Sequence, residues 1–356
     1  MQPSDWLPIV ENEEGAFLRS LGLEGYSIPV GGAFGNSLEY RYGAAWIVFQ
    51  AVHPSKPSKA IRLPIDDRFA QEKHLQRLNF VAKKLDECGA DWFPSFAMHS
   101  YEFASSADPI TPVMVMDWVD GEPYWLALWN RRSSPDELAH LQMQFSRLVT
   151  EMVSAGFDHG DISVSNLRVM PYGGLMLLDP DALSHKEMNI KRNLEVGHPT
   201  WNHTQRKPEH TEHLYLIPCE LLTWFTVALQ LNENLLQEKP DSEEFFFTEE
   251  DLADPFNSPR FAQLCNALGL QVGSPVAHPL FNLMNALCAD FEDVPELLGV
   301  HAEEPVQPTV TIDYLLNLKP PTPLQSPTTR LGRSRRVLKP VSLAREFNRF
   351  RSGVKR

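Results

Sequence analysis

The chain reads as an α+β protein, with a small antiparallel-sheet lobe followed by a larger, mainly helical lobe. Three features point there. Apolar, β-branched runs separated by turn chemistry cluster before residue 120. Helical periodicity dominates after residue 134, and strands and helices do not alternate as a parallel βαβ sheet would require.

The elements follow in order. Residues 1–24 are expected to be a lead-in with a short helix. AAWIVFQAV (44–52) and AIRLPI (60–65) flank HPSKPSK, whose prolines and serines suit a turn, so the two runs form an antiparallel pair. DDRFAQEKHLQRLNFVAKKL (66–85) places Phe69, Leu75, Leu78, Val81, Ala82 and Leu85 at helical spacing. PVMVMDWV (112–119) is a dense apolar run and reads as a further strand. Ser134-Pro135-Asp136-Glu137 predicts a helix start with a capping box between Ser134 and Glu137. Leu138, Leu141, Phe145, Leu148, Val149 and Met152 then line one face, and Gly156 suits the stop. LRVM, a PYGG turn and LMLL form a hairpin that ends at Asp179. LYLIPCELLTWFTVALQL (214–231) is apolar nearly all round and reads as a buried helix. Pro218 and Glu220 interrupt it, so no membrane span is expected. Residues 249–298 are again helical in pattern. These elements give an N-lobe over 25–118, a C-lobe over 119–300 and a Pro-rich linker with a basic tail over 301–356.

Charge and cysteine usage narrow the class. The 356 residues carry a formal charge of −14. From Arg330 to Arg356, ten Lys/Arg face one acid, Glu346, a charge of +9, which leaves −23 on residues 1–329. So acidic a body argues against a DNA-binding domain, while the tail could meet an acidic partner. Cys88, Cys219, Cys265 and Cys288 are scattered, as reduced thiols in a cytoplasmic protein would be. The first residues, MQPSDWLPIVENEEG, lack the charged and apolar regions of a leader. His198, His203, His210 and His213 lie close in sequence, but their spacing matches no common zinc pattern. Trp118, Trp125 and Trp129 read as packing around a hinge.

One constellation carries chemistry. His159-Gly160-Asp161 is followed by Asn166, and Asp179 comes thirteen residues later at a strand end. Phosphoryl transfer needs a carboxylate beside the nucleophile's hydroxyl. It also needs an amide oxygen and a second carboxylate to hold Mg2+ against nucleotide phosphates.

These residues resemble the protein-kinase superfamily. HGDISVSN looks like its catalytic loop and LLDPD like its metal-binding strand end. GHPTWNH (197–203) is similar to a segment found in a group of bacterial Ser/Thr-kinase-like proteins. The resemblance implies an ATP- and Mg2+-dependent phosphotransferase acting on a Ser or Thr of a protein substrate in signalling. Asp161 would be the catalytic base, with His159 and Asn166 in the same loop and His159 bracing it. Asn166 and Asp179 would be metal ligands, Asp179 being preferred to Asp181 on spacing. Ala60 and Arg62 share one strand face, the first as adenine wall and the second as phosphate contact, with Glu72 as Arg62's helix partner. Arg62 stands where the family has lysine, and the two are not equivalent. Val48 and Gly43 would close over the nucleotide, although GGAFG (31–35) is out of register and Trp46 replaces a family glycine. The backbone of Asp117, Trp118 and Val119 would meet the adenine edge. Tyr215 takes the place of an aspartate that supports the family's catalytic loop. These departures keep a pseudokinase scaffold open. Gly160, where regulated kinases carry arginine, keeps open a small-molecule phosphotransferase of the aminoglycoside or choline type.

Overall fold

The computed structural model describes residues 3–31, 37–43, 45–103, 110–188, 190–193, 196–240, 246–273 and 276–300. The chain divides into units at 1–319 and 320–356, and every described residue belongs to the first. The expected linker and basic tail, and most of GGAFG, lie outside the described residues.

Alternation along the strands builds the small lobe. Helix α1 (Pro3–Ser20) is followed by a short antiparallel pair, β1 (Val30–Gly31) and β2 (Ser37–Leu38). Then come β3 (Tyr40–Tyr42), β4 (Trp46–Ala51), β5 (Lys59–Pro64), α2 (Glu72–Cys88), β6 (Phe96–Tyr101) and β7 (Thr111–Asp117). The sheet order is β3-β4-β5-β7-β6, antiparallel throughout. Successive side chains point to opposite faces. Trp46, Ala60, Met114 and Met116 therefore join the core that runs into the large lobe. Ile47, Phe49, Ile61, Leu63, Val113 and Val115 join a second core on the sheet's other face.

Helix α1 fills that second core. The expected short lead-in is an 18-residue helix whose Trp6, Val10 and Phe17 pack on the sheet. Trp6 also donates its indole N–H to the Pro64 carbonyl at 3.0 Å, and Glu14 accepts the Ile28 N–H at 2.9 Å. Pro8 and Gly15 dilute the periodicity that would have shown its length. Helix α2 starts six residues later than its apolar pattern suggests. The Asp66 carboxylate accepts the Arg68 N–H at 2.9 Å, and this local turn competes with a helical one.

The large lobe follows the expected order. It contains β8 (Glu122–Pro123), α3 (Tyr124–Arg131), α4 (Pro135–Ser154), β9 (Phe157–His159), β10 (Leu167–Val169), β11 (Leu175–Leu177) and β12 (Leu183–His185). Helices α5 (Leu216–Leu231), α6 (Glu249–Ala253), α7 (Pro259–Ala267), α8 (Pro279–Cys288) and α9 (Val294–Leu297) complete it. Helix α4 begins at Pro135 without the expected capping box, since Ser134 makes no side-chain cap and Glu137 instead lies 3.7 Å from Arg131. Helix α5 is buried from Leu216 through Leu229 and forms the hub. Two short pairings shape the site. The β10–β11 hairpin returns the chain to Asp179, and β12 pairs with β9, setting Leu183 opposite His159. The result is an α+β fold of two lobes, as the resemblance implied. No described helix is long and apolar enough to cross a membrane.

Trp6→Ala removes the largest side chain that α1 buries. The expected cost is about 3–5 kcal/mol of stability, read from the urea or guanidinium midpoint. A loss within ~0.5 kcal/mol, as for a surface position, would remove α1 from the core.

Candidate active site

A cleft of about 1170 Å3 opens between the lobes. Gly43, Val48, Ala60 and Arg62 line it from the small lobe, Asp117, Trp118 and Val119 from the connection, and Asp161, Asn166 and Asp179 from the large lobe. Ten expected site residues thus share one cavity. Glu72 and His159 do not line it.

Asp161 and Asn166 are locked together. The Asn166 amide N–H group donates to the Asp161 carbonyl at 2.9 Å and to its Oδ2 at 2.8 Å. This use of Nδ2 leaves the amide oxygen as the side chain's acceptor. Asp161 Oδ1 accepts the His198 backbone N–H at 2.7 Å. Asp179 sits at the end of the hairpin with φ of 71°, a region uncommon for non-glycine residues, in which Asp is among the more frequent. Burial pushes its carboxyl up to about 7, against the pull of Arg62 and with Asp181 adding to the rise.

His159 braces the loop and takes no place in the cleft, which corrects its inclusion among the catalytic groups. Its Nε2 lies 3.0 Å from both the Leu178 and Asp179 carbonyls, so that nitrogen carries the proton and donates. Nδ1 accepts the Asp161 N–H at 3.1 Å. Burial lowers the ring's pKa to about 4, which keeps it neutral. Through one imidazole, the backbones of Asp161 and Asp179 are fixed relative to each other.

Glu72 is also corrected. It is exposed and accepts from Gln76 at 2.8 Å. The helix contributes His74 instead, two residues further on and buried, whose Nε2 lies 2.8 Å from Asp181 Oδ1. Asp181 Oδ2 accepts the Trp46 indole N–H at 2.7 Å and the Arg62 Nη2 at 3.2 Å. Arg62 Nη2 also reaches Asp179 Oδ1 at 3.0 Å, and its guanidinium lies 5.3 Å from the Trp46 ring centre. Burial acts to raise the Asp181 carboxyl, but Arg62 and His74 outweigh it and hold it below the usual carboxylate range. Asp181 is 1% exposed and committed to these partners, whereas Asp179 lines the cleft.

The adenine-side expectation is narrowed by hydrogen bonding. The N–H groups of Asp117 and Trp118 donate to Ser95 and Ser58 carbonyls, and Lys59 pairs with the Asp117 carboxylate. Val119 lines the cleft beside them. The Gly43 turn is tight, with Tyr42 opposite Ile47, and is too short for a long flap over phosphates.

The loop from His159 to Asn166 is supported from α5 with donor and acceptor roles opposite to those the resemblance implied. The Asp158 carboxylate accepts the N–H groups of Leu214 and Tyr215, at 2.9 and 3.1 Å, at the start of α5. The aspartate absent from position 215 is thus replaced by one on the strand leading into the loop. Arg206 donates to the Gly160 carbonyl and to Asn202 Oδ1. A Cβ on Gly160 would lie 2.4 Å from Arg206 Nη2, and one on Gly197 would lie 2.5 Å from the Gly160 carbonyl oxygen. A side chain at Gly160 would thus meet Arg206 and Leu214. The histidines nearby diverge. His203 Nε2 lies 3.0 Å from the Ala286 carbonyl, while His210 stacks on Phe291. Among the described residues, no three His, Cys, Asp or Glu side chains converge as a metal site.

No protein-family model matches the chain. A curated relative, the EKC/KEOPS complex subunit bud32 of Emericella nidulans, is 27% identical over 33% of this chain and 47% of its own length. The alignment thus spans about half of that kinase-like relative. The likeness supports the protein-kinase-like superfamily. It also supports a phosphotransfer or pseudokinase role at that level.

Two outcomes test the loop's support. Gly160→Ala should cost about 1–3 kcal/mol by overpacking against Arg206, measured by urea unfolding. Burial raises the Asp158 carboxyl to about 6, against the Leu214 N–H bond and Arg206. Its stability contribution is therefore fully present below about pH 4, the unfolded value, and is lost as pH rises through about 6. The stability of the wild type relative to Asp158→Asn should fall across that window. A difference that rises, or stays flat, would remove this assignment.

Proposed function

We propose that the cleft binds ATP with a divalent cation and transfers a phosphoryl group to a Ser or Thr hydroxyl of a protein substrate. The observation that carries this reading is the shared rim of Asp161, Asn166 and Asp179, with the Asn166 amide N–H group spent on Asp161. The residues fit a hard cation. A carboxylate facing the cleft and an amide oxygen are oxygen donors of the kind Mg2+ takes alongside phosphates. Asn166 and Asp179 would hold the ion, which neutralises phosphate charge when bound. Asp161, oriented by Asn166 and His198, accepts the substrate hydroxyl's proton. Arg62, anchored on Asp181, meets the phosphates. Val48 and Ala60 wall the base, and the Val119 backbone meets its edge.

A scaffold reading is favoured by one contact. Arg62 bridges Asp179 as well as Asp181, so the cation must compete with a guanidinium at Asp179. The bud32 relative is named as a subunit of the EKC/KEOPS complex. Assembly with protein partners suits both readings, and cytoplasmic signalling suits the first.

Incubation with γ-labelled ATP and Mg2+, with thermal-shift titration in parallel, separates the two. Transfer to protein should fall at least about 100-fold in Asp161→Asn. Glu72→Gln, at the exposed start of α2, should match the wild type. A stabilising shift with ATP but no labelled product would favour the scaffold, and neither signal would sink the nucleotide reading.

A further inference from the structure

Arg62 reaches two carboxylates with one nitrogen. Its Nη2 lies 3.0 Å from Asp179 Oδ1 and 3.2 Å from Asp181 Oδ2. The two acids are not held alike. Asp181 is buried, and the Trp46 indole N–H and His74 Nε2 also reach it, at 2.7 and 2.8 Å. Asp179 lines the cleft, and its side chain keeps 23% exposure. Arg62 therefore has a fixed anchor behind it and a second contact that faces the ligand space. Release of Asp179 leaves the guanidinium paired with Asp181, so its charge is not stranded in the wall. An arginine also keeps its proton at any working pH, so the group beside Asp179 stays a cation.

A bare divalent cation meets this arrangement badly. It needs the Asp179 carboxylate, and it would bring two further positive charges beside that of Arg62. Phosphates change the balance, because they accept the guanidinium and give the cation oxygen ligands of their own. We propose that Arg62 shields Asp179 in the empty cleft and yields it to the cation only when phosphates enter. Arg62 turns to the phosphates whether or not they carry a cation, and keeps Asp181 as its pivot. The order of loading is thus set by the protein, and a cation without nucleotide is turned away. This rests on the nucleotide reading above, to which it adds control of the metal position by its own neighbour.

Mn2+ takes the same oxygen donors as Mg2+, and its paramagnetic resonance counts the free ion, so it reports loading without turnover. The full chain is titrated with Mn2+ in the absence of nucleotide, as wild type, Arg62→Gln and Arg62→Gln combined with Asp179→Asn. Arg62→Gln should bind Mn2+ at least about tenfold more tightly than the wild type, the worth of one charge-assisted contact. The double variant should lose that gain. Equal affinity in wild type and Arg62→Gln overturns the shield, and so does a gain that survives Asp179→Asn. Should Arg62→Gln fold poorly, the wild type decides. Mn2+ binding that appears only with ADP, and is weakened by Asp179→Asn, supports the shield, whereas tight binding to the nucleotide-free protein removes it. Titration with ADP in EDTA tests the second half. The wild type should bind, and Arg62→Gln should weaken that binding at least about tenfold. ADP that binds only with a cation, or that ignores Arg62→Gln, overturns the transfer of Arg62 to the phosphates and leaves the nucleotide reading intact. If ADP binds in no arm, the nucleotide reading itself fails, and the Mn2+ comparison of the nucleotide-free proteins still decides the shield.

Discussion

The structure turns on the buried carboxylate of Asp181. Trp46 of β4, Arg62 of β5 and His74 of α2 all converge on it from the small lobe, while Asp181 itself belongs to the large one. A carboxylate 1% exposed would be expensive to leave alone, because desolvation of an unpaired charge outweighs most single contacts. Once paired, it fixes which way the lobes face each other. It also sets Arg62 at the mouth of the cleft, next to Asp179. The end of the cleft at Arg62 and Asp179 is therefore organised around a neighbour that does not itself line the cleft.

The loop from His159 to Asn166 is held by a second set of contacts that meets the first through His159. The imidazole joins the backbone of Asp161 to that of Asp179. Arg206 grips the Gly160 carbonyl from one side, and Asp158 binds the first amides of α5 from the other. Each is a short, local solution to one problem, the holding of an irregular loop whose backbone groups must be satisfied away from water. Together they tie the loop to the hub helix and to the segment after Gly197.

Much of this was legible in the sequence. Strands β4, β5 and β7 and helices α4 and α5 announce themselves through periodicity, and Asp161, Asn166 and Asp179 through spacing within one supersecondary unit. What was hidden involves reversed polarity across long separations. The resemblance implied that an acid on α2, Glu72, would partner Arg62. The acid instead comes from the large lobe, and the helix supplies an imidazole 107 residues away from it in the chain. The same inversion explains position 215, where the missing carboxylate reappears at Asp158. Gly160 was read for the arginine it replaces, and nothing in its neighbourhood named Arg206 as the group that comes near. Trp46 looked like a lost glycine and is in fact a donor to Asp181.

Helix α1 has one further consequence. By covering the far face of the sheet with its own residues, the chain already occupies the surface on which an outside regulator could push against β4 and β5. Mechanical access to the Arg62 guanidinium from behind is thereby closed. The sheet's other face is the one that meets α2, whose His74 reaches Asp181.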